Sequence, residues 1–333
     1  MTRSALAVDL GGTNLRVAVV AADGTLSHRR SMPTEAAAGP RAVTDRIAAL
    51  LDETARAARL GTDVPAGIAV PGPVAPRQGI VYFMPNLPGW HDFALAEALS
   101  TRTHRTIQIA NDGNCAALGE ARFGVGVGIR DLVYLALGTG VGGGIISGGQ
   151  LIEGTLGVAG EVGHVAVSLE GPRCSCGSIG CLEAYVSGWA ITRDAEIVAT
   201  TEAGSAIRHA AAGNPITPTV VAVAASEGDP AALALLDRAG RALGAGIGSF
   251  VNLFNPELVV IGGGVATLGE ALLAPARRAL AEHAFPVQRA AIRLVTSALG
   301  DDTALYGAAA LAFSPLVAIP ISSAGAVECH PCA

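Results

Sequence analysis

The sequence predicts an α/β protein of two lobes whose ligand sites lie at the ends of strands. β-rich runs alternate with helical periodicity along most of the chain, the pattern of layered sheets and helices. Several of those runs feed straight into glycine-rich turns, the kind of junction at which open α/β sheets bind ligands. The 333 residues, 50% apolar and 15% charged, suffice for one large core or two ordinary ones.

Residues 4–10 and 15–21 are β-rich and separated by Gly11-Gly12-Thr13-Asn14, a hairpin with an unusually polar turn; Ala22-Asp23-Gly24 ends the second run. A helix is expected over 41–60, apolar at Val43, Ile47, Leu50, Leu51 and Ala55, then a strand over 66–70 stopped by Pro71-Gly72-Pro73. Residues 94–100 fit a helix, 106–110 a strand and 113–123 a helix. Residues 132–146 form a second glycine-turned hairpin around Gly138-Thr139-Gly140, so the strand, glycine turn, strand unit occurs twice and hints at a duplicated architecture. A helix over 231–252 precedes Asn255-Pro256, a strand over 258–261 feeds Gly262-Gly263-Gly264, and a further helix is expected from about 268 to 283. No linker separates independent domains, and the Pro- and Ser-bearing tail after Phe313 is expected to be loosely held.

The formal net charge of -6, with Lys and Arg scattered, removes the electrostatic footprint of a nucleic-acid partner. No export signal precedes the first strand, so a cytoplasmic chain is expected. Residues 132–152 carry no charge and are long enough to span a bilayer, but seven glycines and no aromatic belt mark a hairpin rather than a membrane segment. The six cysteines are then expected to be reduced, which favours metal binding over disulfides.

In Asp9-Leu10-Gly11-Gly12-Thr13-Asn14 the missing side chains let backbone amides approach an anion, and Thr13 and Asn14 add donors. Asp9 could orient the magnesium ion that accompanies a nucleotide; the alternative is an ordinary hairpin with an Asx-type turn. Gly138-Thr139-Gly140 is a second such turn. Neither is a Walker A loop or a dinucleotide fingerprint, which counts against a P-loop enzyme and a Rossmann dehydrogenase. Gly262-Gly263-Gly264 would let an adenosine lie close to backbone, or serves only as a tight turn.

Asn111-Asp112 stands where a strand gives way to a helix, so Asp112 is either an N-cap or a general base facing a phosphate-holding turn. Asn86, in a loop of helix breakers, could bond a polyhydroxylated ligand or be a plain turn residue. His164 with Cys174, Cys176 and Cys181 would complete a closed tetrahedral zinc site, structural because no position is left for water; reduced free cysteines or a disulfide pair are the alternatives. Glu161 and Glu183 beside it are expected to be free to accept bonds from sugar hydroxyls. Cys115 reads as core, and Cys329-His330-Pro331-Cys332 as a poor metal cage.

Asp9 to Asn14, Asn111-Asp112, Leu137 to Gly142, Gly160-Glu161-Val162-Gly163-His164 and the run Cys174 to Glu183, in this order, together resemble the ROK family (repressor, open reading frame, kinase) from residue 9 to about 310. The resemblance implies an actin-like, ribonuclease-H-like ATPase fold, with 1–111 plus about 302–314 as the small lobe, 112–301 as the large lobe bearing the zinc loop, and 315–333 as a tail. It implies Asp112 as base; Asn86, Asn111, Asp112, Glu161, His164 and Glu183 around a sugar; and Asp9, Gly11, Gly12, Thr13, Asn14, Thr139, Gly140, Gly262, Gly263 and Gly264 at ATP. His164 then serves both zinc and sugar. Gly113 and Cys115 replace alanines of the relatives, which suggests a more flexible helix start.

The implied activity is phosphorylation of a hexose, glucose first, at its 6-hydroxyl by magnesium ATP. N-acetylmannosamine or N-acetylglucosamine kinase is the alternative, and mannose, fructose or polyphosphate are further candidate substrates. A sugar-responsive repressor would need a DNA-binding module, for which the eight residues before Asp9 leave no room. A binding protein without catalysis would not need both base and phosphate turns. A homodimer or homotetramer is expected from apolar surface on an Ala-rich chain.

Overall fold

The computed structural model describes residues 3–313, so the tail at 315–333 and its Cys329 to Cys332 run lie outside the described residues. In chain order, β1 (Ser4–Leu10), β2 (Asn14–Ala21) and β3 (Leu26–Pro33) lead to α1 (Gly39–Ala57) and β4 (Ala66–Val70). Three short strands follow, β5 (Val74–Ala75), β6 (Ile80–Phe83) and β7 (His91–Phe93), then α2 (Leu95–Thr103), β8 (Ile107–Asn111) and α3 (Asp112–Phe123). The second half opens with β9 (Leu132–Leu137), β10 (Val141–Ser147) and β11 (Gln150–Leu151), and runs through α4 (Glu183–Val186), α5 (Gly188–Ala199), α6 (Ser205–Ala211), α7 (Pro218–Ser226) and α8 (Pro230–Phe254). It closes with β12 (Leu258–Gly262), α9 (Glu270–His283), α10 (Pro286–Ala291), β13 (Arg293–Thr296) and α11 (Thr303–Phe313).

The large sheets have the orders β3-β2-β1-β4-β8 and β11-β10-β9-β12-β13, and β5-β6-β7 form a small third sheet. In each large sheet a glycine-turned antiparallel hairpin continues into two parallel strands. The repeat hinted at by two similar hairpins is thus a repeat of whole sheets. It also disposes of the membrane reading of 132–152, which is β9 to β11. Among the described residues no helix is long and apolar enough to cross a membrane.

Strand alternation sorts the first sheet's side chains by size. Leu6 and Val8 of β1 join a core with Ile47 and Leu51 of α1, whereas Ala5 and Ala7 face Leu305 and Ala308 of α11. Small residues on that face let α11 lie almost on the strands: a Cβ on Gly67 would collide with the Ala308 carbonyl. The second sheet buries Val133 and Leu135 against Leu243 and Ile247 of α8, and presents Tyr134 and Val260 to Ala116 and Ala117 of α3. The helices α3 and α11 therefore pack against each other between the two sheets, and Asp112 begins one of them.

The first helix ends three residues before the expected boundary, and the helix expected from 268 begins at Glu270 after a 3-10 turn at Gly264–Leu268. Some elements carry little periodic signal. The edge strand β3 reads Leu-Ser-His-Arg-Arg-Ser-Met-Pro, and α11 is buried on all sides, so neither shows an amphipathic stripe.

Candidate active site

Parallel strands β4 and β8 end side by side, and the chain turns at Asn111 into α3. Asn111, not Asp112, is the N-cap: its Oδ1 accepts from the Gly113 amide at 2.9 Å and the Asn114 amide at 3.4 Å, while its Nδ2 donates to the Gly72 carbonyl at 3.2 Å. That leaves Asp112 at the first helical position, with Oδ1 accepting from the Gly113 amide at 2.8 Å. Burial pushes the Asp112 carboxyl up to about 6, with the charges of Asp9 and Glu161 adding to the rise and the Gly113 amide opposing it. Asp112 lines a small recess with Asn111, Asn114, Gly142, Gly143 and Glu161. The expectation of a looser helix start is corrected, because a Cβ on Gly113 would collide with the Gly143 backbone and the residue is held in close packing.

In the first turn the Gly11 amide donates to the Asn14 carbonyl at 2.9 Å, and Thr34 ties the turn down by bonding the Thr13 and Gly11 carbonyls. Gly12, Thr13 and Asn14 are exposed at its tip. A Cβ on Gly12 would stand 3.4 Å from the Asn86 Cβ, so the two expected ligand loops meet here. Asp9 is matched by Arg16, its register partner on β2, whose Nε donates to Oδ2 at 2.8 Å. Burial still raises the Asp9 carboxyl, against the pull of Arg16. The carboxylate expected to meet magnesium is thus already paired with a cation.

The second turn is closed by the Gly138 amide on the Gly140 carbonyl at 2.9 Å and pinned from outside by the Gly188 amide on the Gly138 carbonyl at 2.8 Å. Thr139 is exposed at its tip. The glycine triplet divides in two. A Cβ would strike the Tyr134 hydroxyl at Gly262 and the Leu137 carbonyl at Gly263, where φ is +87°, so both serve packing against β9. Gly264 alone faces open space.

Glu183 corrects the expectation that it is free. It is buried, with Oε2 accepting from the Val141 amide at 3.0 Å and Oε1 from the Ser175 hydroxyl at 2.8 Å. Glu161 remains half exposed, 4.0 Å from His164 Nε2. On the other side of that ring, His164 Nδ1 lies 3.6 Å from Cys174 Sγ, and the ligand atoms of His164, Cys174, Cys176 and Cys181 all fall within 4.8 Å of one another. This cluster could hold a metal ion, with the imidazole between that ion and the recess. Cys115 is fully buried core.

Two polar residues escaped the sequence reading. Asn114, 2% exposed, aims Oδ1 between Gly144 and Gly160 with no hydrogen-bond partner among the described residues. Its signal was available: a polar residue two positions after Asp112 in the apolar first half of the helix. Glu153 is buried through an ion pair with Arg77, a contact between sequence-distant loops that no local pattern reveals.

Residues 5–314 match the ROK family model. The chain is 37% identical to a glucokinase of Thermotoga maritima over 309 residues, covering 92% of this chain and 96% of that one. It is 34% identical to an N-acetylmannosamine kinase of Escherichia coli, covering 92% and 97%. It also superimposes with a TM-score of 0.76 and 34% identity on a ROK family glucokinase from Streptomyces griseus in complex with glucose and AMPPNP, covering 92% and 98%.

Proposed function

The chain belongs to the ROK family, with its actin-like fold, and on that premise we propose that it is a sugar kinase transferring the γ-phosphoryl group of ATP to the 6-hydroxyl of a hexose, glucose first. The observation that carries the reading is the Asp112 carboxylate, pushed up to about 6 in a recess shared with Glu161 and the glycines that follow the second turn. A base of that strength is deprotonated at neutral pH yet basic enough to take a hydroxyl proton.

The proton of the sugar hydroxyl passes to Asp112 as its oxygen bonds to the γ-phosphorus. The bond from that phosphorus to the bridging oxygen breaks, ADP departs, and Asp112 returns the proton to solvent. Positioning and charge neutralisation supply most of the acceleration. Gly11, Gly12, Thr13 and Asn14 on one side and Thr139, Gly140 and Gly264 on the other would cradle the nucleotide, with Gly262 and Gly263 shaping that bend from behind. Magnesium bound with ATP would neutralise its phosphates. Around the sugar the reading sets Asn86, Asn111, Glu161 and His164, while Glu183 acts through Val141 by fixing the second turn.

The metal is read as zinc in a structural role. Ideal tetrahedral zinc with thiolate and imidazole ligands has S···S edges of about 3.8 Å and S···N edges of about 3.6 Å. Cys176 and Cys181 Sγ are 3.8 Å apart, and Cys174 Sγ to His164 Nδ1 is 3.6 Å. The lobe division at 111/112, with the chain from about 302 returning to the first lobe, is supported by α11 packing on β1 and β4. A cytoplasmic homodimer or homotetramer, without nucleic-acid or membrane partners, completes the reading.

A coupled ADP-release assay over hexoses and amino-sugars tests it. Glucose should give the highest kcat/KM; N-acetylmannosamine in first place would install the second reading, favoured by the Escherichia coli relative. ADP release with no sugar in the panel would sink both.

A further inference from the structure

The segment from Glu153 to Gly160 crosses from the second sheet to the first lobe's small hairpin before delivering Glu161 to the recess. It has little stiffness of its own, because Gly154, Gly157 and Gly160 all stand at positive φ (+69°, +82° and +93°). Its shape is set by pins. The Ala159 amide closes it on the Glu153 carbonyl at 3.0 Å, and the Tyr82 hydroxyl donates to the Leu156 carbonyl at 3.2 Å. Gly157 packs where a Cβ would collide with Pro76. The strongest pin is ionic: Arg77 Nε and one terminal nitrogen each lie 3.1 Å from Glu153 Oε2, and that carboxylate is only 6% exposed.

We propose that Arg77 is a positioning residue for hexose binding. Paired with Glu153, it docks the glycine-rich strap 153–160 onto the β5–β6 hairpin and thereby fixes where Glu161 stands opposite Asp112. The inference rests on the sugar-kinase reading above. Its physical basis is asymmetry of cost. Glu153 Oε1 already lacks a hydrogen-bond partner among the described residues, so without Arg77 a buried carboxylate stands uncompensated. The cheapest relief is for the strap to peel away toward water, and Glu161 moves with it. The hairpin and strap also line the recess directly, through Pro73, Val74, Gly157, Val158 and Ala159. Displacement is therefore felt by the sugar, whereas the two phosphate turns lie on other elements.

Steady-state kinetics with glucose and ATP varied separately test this on Arg77→Met, Arg77→Lys, Glu153→Gln and the double variant Arg77→Met/Glu153→Gln. Arg77→Met should raise the glucose KM about tenfold or more, with kcat and the ATP KM within about twofold of wild type. Arg77→Lys should recover much of the loss, and the double variant should be no worse than Arg77→Met alone, because the pair acts as one unit. Arg241→Met, which breaks the exposed pair with Glu282 elsewhere, should leave both KM values unchanged. An unchanged glucose KM in both Arg77→Met and Glu153→Gln, or equal rises in the KM of both substrates, overturns the positioning role while the kinase reading survives. A wild-type chain inert toward every sugar takes down the kinase reading and this inference together.

Discussion

The two large sheets share a strand order, yet their glycine turns are built by different means. In the first, the glycine turn carries its own charge: Asp9 sits at its base and Arg16 balances it from the neighbouring strand. In the second, Gly138 to Gly140 carry no charge, and the carboxylate that fixes the bend is Glu183, reaching the Val141 amide from beyond the cysteine loop. The edges differ as well. β8 hands the chain to Asp112, whereas its counterpart β13 hands it to Ser297, whose hydroxyl donates to the buried carboxylate of Glu120. A repeated scaffold thus fixes where strands end, and on the proposed reading the residues just past those ends decide which copy does chemistry.

The sharpest way to break this comparison is to remove the proposed base. Asp112→Ala should lower kcat by a factor on the order of a hundred or more, with the glucose KM changing only a few-fold. Near-normal turnover would mean that the end of β8 is no more catalytic than the end of β13.

Next in size is the cysteine loop. Because Glu183 follows Cys181 by two residues and holds Val141, disturbing the cluster should reach the second turn and spare the first. Wild-type protein should carry about one zinc per chain by mass spectrometry. Cys176→Ser should lose it, lower the Tm by roughly 5 °C or more and raise the ATP KM, consistent with a loss of about 2 kcal/mol. Retention of stability by metal-free protein would leave Glu183 anchored without the cluster.

Both hairpins, the strand-to-helix junction at Asn111-Asp112 and the clustering of His164 with three cysteines were legible in the sequence, because each is local: a glycine turn needs missing side chains at adjacent positions, and one histidine and three cysteines within eighteen residues can converge without long-range packing. What sequence could not divide was function within a motif. Asp112 read as either the cap or a base until the backbone gave the cap to Asn111. Glu183 looked as free as Glu161 because its partners, Val141 and Ser175, are set by tertiary packing. Gly262, Gly263 and Gly264 read alike, although two of them only make room for β9.

That last distinction is itself testable. Gly263→Ala forces a side chain into positive φ against the Leu137 carbonyl and should cost more than about 2 kcal/mol of stability. Gly264→Ala should leave the Tm within a degree or two and raise the ATP KM a few-fold. Equal Tm losses would assign the whole triplet to packing.

The last effect concerns the sign of a pH dependence at Asp112. In the proposed mechanism activity needs the carboxylate charged, so kcat/KM should rise from an acid limb with a midpoint near 6. Stability runs the other way. A carboxyl raised from 3.8 to about 6 by burial binds protons more readily in the folded chain, so the charge destabilises the fold in full above pH 6 and not at all below pH 3.8. Asp112→Asn keeps an acceptor for the Gly113 amide and removes the charge. It should stabilise the chain at pH 8 by roughly 3 kcal/mol at most, a Tm gain of a few degrees, with solvent in the cleft reducing the figure. The gain should shrink between pH 6 and 4 and vanish below. A Tm difference constant from pH 4 to 8 would show that the Asp112 charge is solvated and that the second sheet, which contributes no such carboxylate, differs from the first in chemistry but not in its cost to the fold.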